Sequence, residues 1–211
     1  MIAMVNLKVY LEIKVIDKKG KVRFYRRKNS AVYNLGKILY GILLAIGGGT
    51  NTNVKVKDYS GAEATVYTER KIIAGHAGGT VMAGNASEGD DTYGIMVGSD
   101  NTPVSDDDYC LKSKIAHGDG DNLLHYSSHT FEDVEVGTSY ARFRMSRSFT
   151  NNGSVNVTVY EFGLGVWNYW KHHDAVYNDV KFLVCRDVES GGVTVNPSET
   201  LVVLYTFEVT L

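Results

Sequence analysis

The sequence contains very little cysteine or proline, with only two of each among 211 residues. Cys110 and Cys185 are too few for a disulfide framework and do not have the paired spacing of a zinc site. A single bridge between them is one interpretation and two free thiols are the other. We favour free thiols, because buried cysteines usually behave as small apolar side chains.

The sequence also has no strong excess of either charge, with a formal net charge of −2 and a pI near 6.3. This balance gives no electrostatic reason to expect contact with nucleic acid or an anionic membrane. Residues 1–6 lack a basic stretch followed by a long apolar run, so we predict no secretory signal and synthesis in the cytosol. The longest apolar segment, residues 31–46, is short for a membrane span and contains Asn34 and Lys37.

Motifs that would indicate an enzyme or a bound cofactor do not occur. Residues 47–49 are glycines, but they follow a predicted helix and lack the Gly-Lys-Ser/Thr ending of a phosphate-binding loop. The six histidines have no recognisable metal-ligand spacing. The acidic stretches at 106–108 and 119–121 resemble calcium loops only in composition, so we interpret them as solvated turns. We therefore predict no enzyme activity, no cofactor and no metal, although a hydrolase with an unrecognised polar cleft is a third interpretation.

Period-two alternation of apolar residues is the strongest pattern in the chain. It covers residues 201–211 at one end and residues 7–15 at the other, which is typical of β-strands with one buried face. A turn at 17–20 predicts a hairpin that returns along 21–27. A second predicted hairpin joins residues 141–149 to 155–159 through an Asn-Asn-Gly turn.

A helical pattern occurs once, over residues 31–46, with Ser30 as its cap and three glycines as its stop. Its apolar stripe predicts packing on protein rather than lipid. The stripe consists of Leu35, Ile38, Leu39, Ile42 and Leu43. With about ten predicted strands, the sequence indicates an all-β, antiparallel and jelly-roll-like β-sandwich in a single domain spanning residues 1–211.

Three charged residues fall at positions where the alternation predicts an apolar, inward-facing side chain. They are Arg147, Glu161 and Arg186. An unpaired buried charge costs several kcal/mol, so we expect Glu161 to form a buried ion pair with Arg147 or Arg186.

Two stretches read as long loops, at residues 75–91 and 167–179, and loops of this length often make functional contacts. The second contains a set of aromatic residues that could form a stacking or contact surface: Trp167, Tyr169, Trp170 and Tyr177. Coplanar, exposed rings there would favour carbohydrate binding or host attachment, whereas rings buried against a neighbouring copy would favour assembly.

Several short motifs are distributed along most of the chain. They are the hairpin at 17–27, Asn-Ser and the apolar helix at 29–46, Asp-x-x-Gly at 58–61, Gly-Ser-x-Asn-Thr-Pro at 98–103, Asp-Tyr-x-Leu at 108–111, Arg-Ser-Phe-Thr-Asn at 147–151, Tyr-Glu-Phe-Gly-Leu at 160–164, Cys-Arg-Asp-Val at 185–188 and the Thr-Val-Asn-Pro turn at 194–197. In this order they resemble a loose family of phage and archaeal-virus virion structural proteins. The glycine-rich loop from residue 75 and the His-rich stretch near His172 depart from that pattern.

The resemblance implies a β-sandwich that assembles as many identical copies in a capsid surface, neck or tail. Its partners would be other copies of the chain and other virion proteins, and its location would be the virion. The alternative function is a carbohydrate-binding or host-attachment module that uses the aromatic stretch at 167–179.

Overall fold

The computed structural model describes residues 6–29, 31–46, 53–67, 80–172 and 175–210. It confirms the prediction of an all-β, antiparallel fold with one helix, and the described residues form twelve strands rather than about ten. The elements are β1 (Asn6–Ile16), β2 (Val22–Asn29), α1 (Tyr33–Ile46), β3 (Asn53–Lys57), β4 (Glu63–Tyr67), β5 (Thr80–Ala83), β6 (Gly94–Gly98), β7 (His125–Phe131), β8 (Glu135–Val136), β9 (Tyr140–Thr150), β10 (Val157–His172), β11 (Ala175–Val195) and β12 (Thr200–Thr210).

The strands form two larger sheets and one separate hairpin. The first sheet has the order β2-β1-β12-β9-β7, with β8 paired to β9. The second has the order β11-β10-β5, with β6 paired to β10, and β3 pairs only with β4. Buried residues of both larger sheets, such as Ile13 on β1 and Phe162 on β10, belong to one hydrophobic core. The jelly-roll connectivity and the single domain remain predictions.

The two segments with the strongest apolar alternation, β1 and β12, are both strands and pair with each other. The two strands pair in antiparallel register along their full length, from Asn6 opposite Thr210 to Ile16 opposite Thr200. The predicted hairpin between β1 and β2 is confirmed. Its turn is stabilised by the side chain of Asp17, which accepts hydrogen bonds from the backbone amides of Lys19 and Lys21.

Helix α1 begins two residues later than predicted, and its predicted cap, Ser30, lies outside the described residues. Ile38 is buried and Leu35 packs against the core, whereas the side chains of Ile42 and Leu43 lie outside the described part. Asn34 fixes the helix in place. Its side-chain amide donates to the carbonyls of Lys57 and Leu183 at 3.0 and 3.1 Å.

Within the described part of the chain, no helix is long and apolar enough to cross a membrane.

The predicted hairpin between residues 141–149 and 155–159 is wrong. β9 pairs with β12, β7 and β8, whereas β10 pairs with β11, β5 and β6. The turn between them therefore carries the chain from the first sheet to the second. An Asn-Gly turn and flanking alternation indicate a reversal of direction, but they do not determine which strands pair.

The predicted loop at residues 167–179 is also wrong, and the one predicted at 75–91 is shorter than expected, with residues 84–91 outside any strand. Residues 167–172 and 175–179 belong to β10 and β11, which continue as a paired hairpin instead of opening into a loop. Residues 80–83 of the other stretch form β5, which pairs with β10, and residues 75–79 lie outside the described residues. Cys110 and Cys185 are not joined by a disulfide bond, and Cys185 is buried.

Candidate interaction surface

An apolar groove of about 400 Å³ lies between α1 and one end of the first sheet. Its walls are almost entirely aliphatic and aromatic. The lining residues are Leu7, Leu35, Ile38, Leu39, Val134, Ala141, Arg142, Phe143, Phe207 and Val209.

The strand register explains why these side chains meet. Leu7 on β1 lies opposite Val209 on β12, which lies opposite Ala141 on β9, which in turn lies opposite Val136 on β8. Directly opposite residues of paired strands point to the same face of a sheet. One apolar row therefore crosses four neighbouring strands.

A second row on the same face contains Phe207 and Phe143, which also lie opposite each other. Their rings stack nearly in parallel, with centroids 4.9 Å apart and an interplanar angle of 7°. Further along the same strands, this face is covered by the protein core, and Leu201 and Val203 are fully buried. The groove is thus the uncovered end of a sheet face that is buried elsewhere.

Several side chains of this surface are more exposed than their size and polarity would favour. Leu7 is 48% exposed, Phe143 40%, Val209 39% and Val136 75%. Single exposed apolar residues are common on proteins, but a contiguous group marks a binding surface. We call the set Leu7, Leu39, Val134, Val136, Ala141, Phe143, Phe207 and Val209 the apolar face.

The opposite face of the same strands carries charges that pair with one another. Arg142 contacts Glu135 at 2.8 Å and Glu208 at 3.7 Å, and Arg144 contacts Glu135 at 3.4 Å. Ion pairs that remain partly open to solvent contribute little stability, typically below about 1 kcal/mol. Their importance here is that the strands present one paired, charged face and one apolar face.

The predicted aromatic contact surface lies on the hairpin of β10 and β11. The rings of Trp167 and Tyr169 stack on each other with centroids 3.9 Å apart, and Tyr93 lies 5.3 Å from Trp167. The indole N–H of Trp167 donates to Asp179 at 2.6 Å. One face of Trp167 and one of Tyr169 are therefore occupied by protein. The side chains of Trp170 and Tyr177 lie outside the described part.

The structure brings two of the three predicted buried charges together. The two are Arg186 and Glu161, whose side chains are fully buried. The guanidinium of Arg186 lies 2.9 Å from the carboxylate of Glu161. It also contacts Asp108 at 2.9 Å and donates to the backbone carbonyls of Thr102 and Pro103. The pair is covered by the segment 102–113, which supplies these additional partners.

The carboxylates of this cluster are saturated with hydrogen bonds. Glu161 accepts from the backbone amides of Lys112 and Ser113 at 2.9 and 2.7 Å. Burial favours the neutral form of Asp108, but hydrogen bonds from the Ser105 amide and the Lys112 side chain, together with Arg186, lower its pKa overall. The two carboxylates therefore balance the charges of one arginine and one lysine, which lets the cluster remain ionised in the interior.

Arg147 does not join this ion pair, so of the two partners predicted for Glu161 it is Arg186 that forms the pair. The guanidinium of Arg147 donates instead to four backbone carbonyls, those of Ser127, Ile95, Ser87 and Asp90, at 2.7 to 3.1 Å. No carboxylate of the described residues forms an ion pair with Arg147. Backbone acceptors satisfy its donors because the loop that precedes β6 wraps around it.

Several motifs that carry the family resemblance meet around Arg186. They are the stretches at 98–103, 108–111, 160–164 and 185–188. Gly98 is needed for this contact, because a Cβ there would lie 2.5 Å from the Glu161 carboxylate and 2.6 Å from the Ser113 carbonyl. The motifs thus have a common structural role in burying one charge cluster.

Sequence reasoning missed the apolar face as a surface. The alternation identified the apolar residues of β1, β9 and β12 correctly but predicted that all of them face the core. The uncovered end arises from which elements cover the sheet, and the pattern within a single strand carries no signal for that. Among the described residues, no three His, Cys, Asp or Glu side chains form a group that could hold a metal ion.

Comparisons with known proteins assign no family to this fold and surface. No family model matches the chain, and no curated protein or solved structure matches it either.

Proposed function

We propose that this chain is a structural subunit that assembles as many identical copies in a virion, with the apolar face as a contact between copies. The observation that carries the proposal is the uncovered apolar end of the first sheet. The resemblance of the short motifs to virion structural proteins of phages and archaeal viruses supports the setting, whether capsid, neck or tail.

A second copy of the chain suits the apolar face better than a strongly charged partner. The charged residues of the same strands, Arg142, Arg144, Glu135 and Glu208, lie on the opposite face and are already paired within the chain. A self-contact therefore brings no large excess of like charge together. An interface between copies would need to bury more than about 1,000 Å² in total to be specific. The groove and the exposed row that continues to Val136 supply the apolar centre that such an interface requires.

Two lysine substitutions of matched exposure test this surface. Leu7 lies on the apolar face and is 48% exposed, whereas Val104 lies away from it and is 52% exposed. Leu7→Lys places a charge in the proposed contact and should weaken association at least about tenfold. Val104→Lys should leave association unchanged, and both variants should fold because each side chain is already half exposed.

The measurement is mass against protein concentration, by light scattering or native mass spectrometry. We expect the unmodified chain to form discrete oligomers that Leu7→Lys dissociates. A monodisperse monomer at high concentration would overturn the proposal. Equal weakening by both lysine variants would place the contact elsewhere.

A further inference from the structure

The segment of residues 84–92, between β5 and β6, lies against the edge of the first sheet, and we call it the strap. Arg147 on β9 binds the carbonyls of Ser87 and Asp90, both at 2.8 Å. The amide of Gly89 donates to the carbonyl of Tyr126 on β7 at 3.0 Å. The strap is thus held by polar contacts with two strands of a sheet to which it does not belong.

His129 on β7 joins the strap to the start of β6. Its Nε2 accepts a hydrogen bond from the Ile95 amide at 2.8 Å, and its Nδ1 lies 2.9 Å from the Ala86 carbonyl. A ring nitrogen that accepts from an amide cannot carry a proton, so this geometry requires the neutral imidazole with its proton on Nδ1. Gly94 permits the contact, since its φ is +77° and a Cβ there would lie 2.4 Å from the imidazole.

The charges around His129 disfavour a second positive charge. Arg147 lies directly opposite His129 in the pairing of β7 and β9. Burial is the main cause that lowers the pKa of His129, to about 4, with a contribution from Arg147 and opposing effects of Ala86 and Asp90. A protonated, half-buried His129 would place a second cation beside the buried Arg147 and turn an N–H toward the Ile95 amide.

Other titratable groups also face the strap. His125 contacts Glu88 of the strap at 3.1 Å and Asp119 at 3.0 Å. Asp91 of the strap pairs with Lys114 at 2.7 Å and accepts from the His117 amide at 2.8 Å.

Nδ1 of His117 accepts from the Tyr126 amide at 3.1 Å, which requires that nitrogen to be unprotonated. Of these histidines, only His129 bonds both the strap and the first residues of β6.

We propose that the strap is an acid-released latch, in which protonation of His129 breaks its bond to the Ile95 amide and frees the strap from β7 and β9. Release would uncover Ala86 and Tyr93, which now pack with Trp167 and Tyr169. Acid would thereby expose apolar surface at the opposite end of β10 from the charge cluster. This device is independent of the proposed function.

The pH window follows from the direction of the pKa change. Because the pKa of His129 is lower in the closed state than in an open, solvated one, opening becomes more favourable as pH falls below about 6.5. Opening stops becoming more favourable once the pH reaches the pKa of His129 in the closed state, about 4. Between pH 7.5 and pH 5 these two values give a rise of about 30-fold in the opening equilibrium.

Amide hydrogen exchange of Ile95 and of residues 84–92, corrected for the intrinsic effect of pH, measures this opening. In the unmodified chain, the protection of these amides should fall about 30-fold between pH 7.5 and pH 5. The protection of the core amides of β12 should not change. His129→Gln is the matched control, since glutamine supplies an acceptor to Ile95 but does not titrate. Its Ile95 protection should not change with pH.

A second readout is the imidazole of His129 itself, followed by NMR during a pH titration. We expect the Nδ1-protonated tautomer at pH 7 and a pKa well below the ordinary value. A pKa of His129 near 6.5, together with hydrogen-exchange protection that does not change with pH, would overturn the proposal. The same holds if His129→Gln lost protection over the same pH range as the unmodified chain.

Discussion

Arg186 and Arg147 are both buried, on strands whose neighbouring inward positions are apolar, but their charges are accommodated differently. Arg186 lies beside the carboxylates of Glu161 and Asp108, so its charge is neutralised within a few ångströms. Arg147 is surrounded by backbone carbonyls and the ring of Tyr126, whose centroid lies 4.8 Å from its guanidinium carbon. The first arrangement balances charge, and the second satisfies hydrogen bonds without an opposite charge.

The difference shows how each site responds when one member is changed. A charge-balanced site becomes unbalanced if either partner is removed. When the arginine is removed from a site made of carbonyls, hydrogen bonds are lost, but no buried charge is left without its partner. The three substitutions below test this comparison, from the largest expected effect to the smallest.

Glu161→Ala should have the largest effect. It removes the main partner of the buried Arg186 and leaves the amides of Lys112 and Ser113 without their acceptor. We expect the free energy of unfolding, measured with urea, to fall by about 3–5 kcal/mol. Replacing Glu161 and Arg186 together with leucine should cost less than the single change. If the two single losses simply add in the double variant, the pair is not coupled.

Arg147→Met should have a smaller effect, of about 2–3 kcal/mol, because it strands neutral carbonyls rather than a charge. Its loss of protection against hydrogen exchange should concentrate in residues 84–92. A loss of stability larger than that of Glu161→Ala would reverse the comparison. Arg147→Lys keeps the charge but has fewer donors. Its free energy of unfolding should lie between those of Arg147→Met and the unmodified chain.

Asp108→Asn should have the smallest effect, about 1–2 kcal/mol at pH 7, since asparagine keeps the shape but loses the charge. The pKa of Asp108 is lowered in the folded chain. Its contribution is therefore fully present above the ordinary pKa near 4 and is lost as pH falls through the folded value. Unfolding at pH 7, 5 and 3 should show the two proteins converging only at the lowest pH. A difference that stayed constant at pH 3 would contradict this assignment.

The same comparison shows what the sequence could predict. Glu161 and Arg186 lie on adjacent strands, and the parity of these residues among apolar neighbours predicted that Glu161 would meet either Arg186 or Arg147. The partners of Arg147 are backbone carbonyls from distant segments, and a carbonyl has no signature in the sequence because every residue has one. Burial of both arginines was therefore predictable, but the partners of only one were.

The paired hairpin at residues 167–179 was hidden for a different reason. Trp167 and Tyr169 lie on one face and the buried Asn168 on the other, so the usual contrast of apolar and polar residues is reversed. A polar residue on the inward face looks like loop composition when it is read by hydrophobicity alone. The face of the first sheet that remains uncovered was equally hidden, because coverage depends on contacts between distant parts of the chain.

The pairing of β1 with β12 has a consequence for how the molecule forms. These two strands lie side by side in the middle of the first sheet, although they stand at opposite ends of the order of elements. Closing such a contact brings together residues nearly the whole chain apart, and its entropic cost comes before most of the burial that compensates for it. During synthesis, β1 can pair with β2 on one edge, but its other edge must wait for β12. We therefore expect folding to be slow, and the waiting strand to be the segment most in need of protection from aggregation.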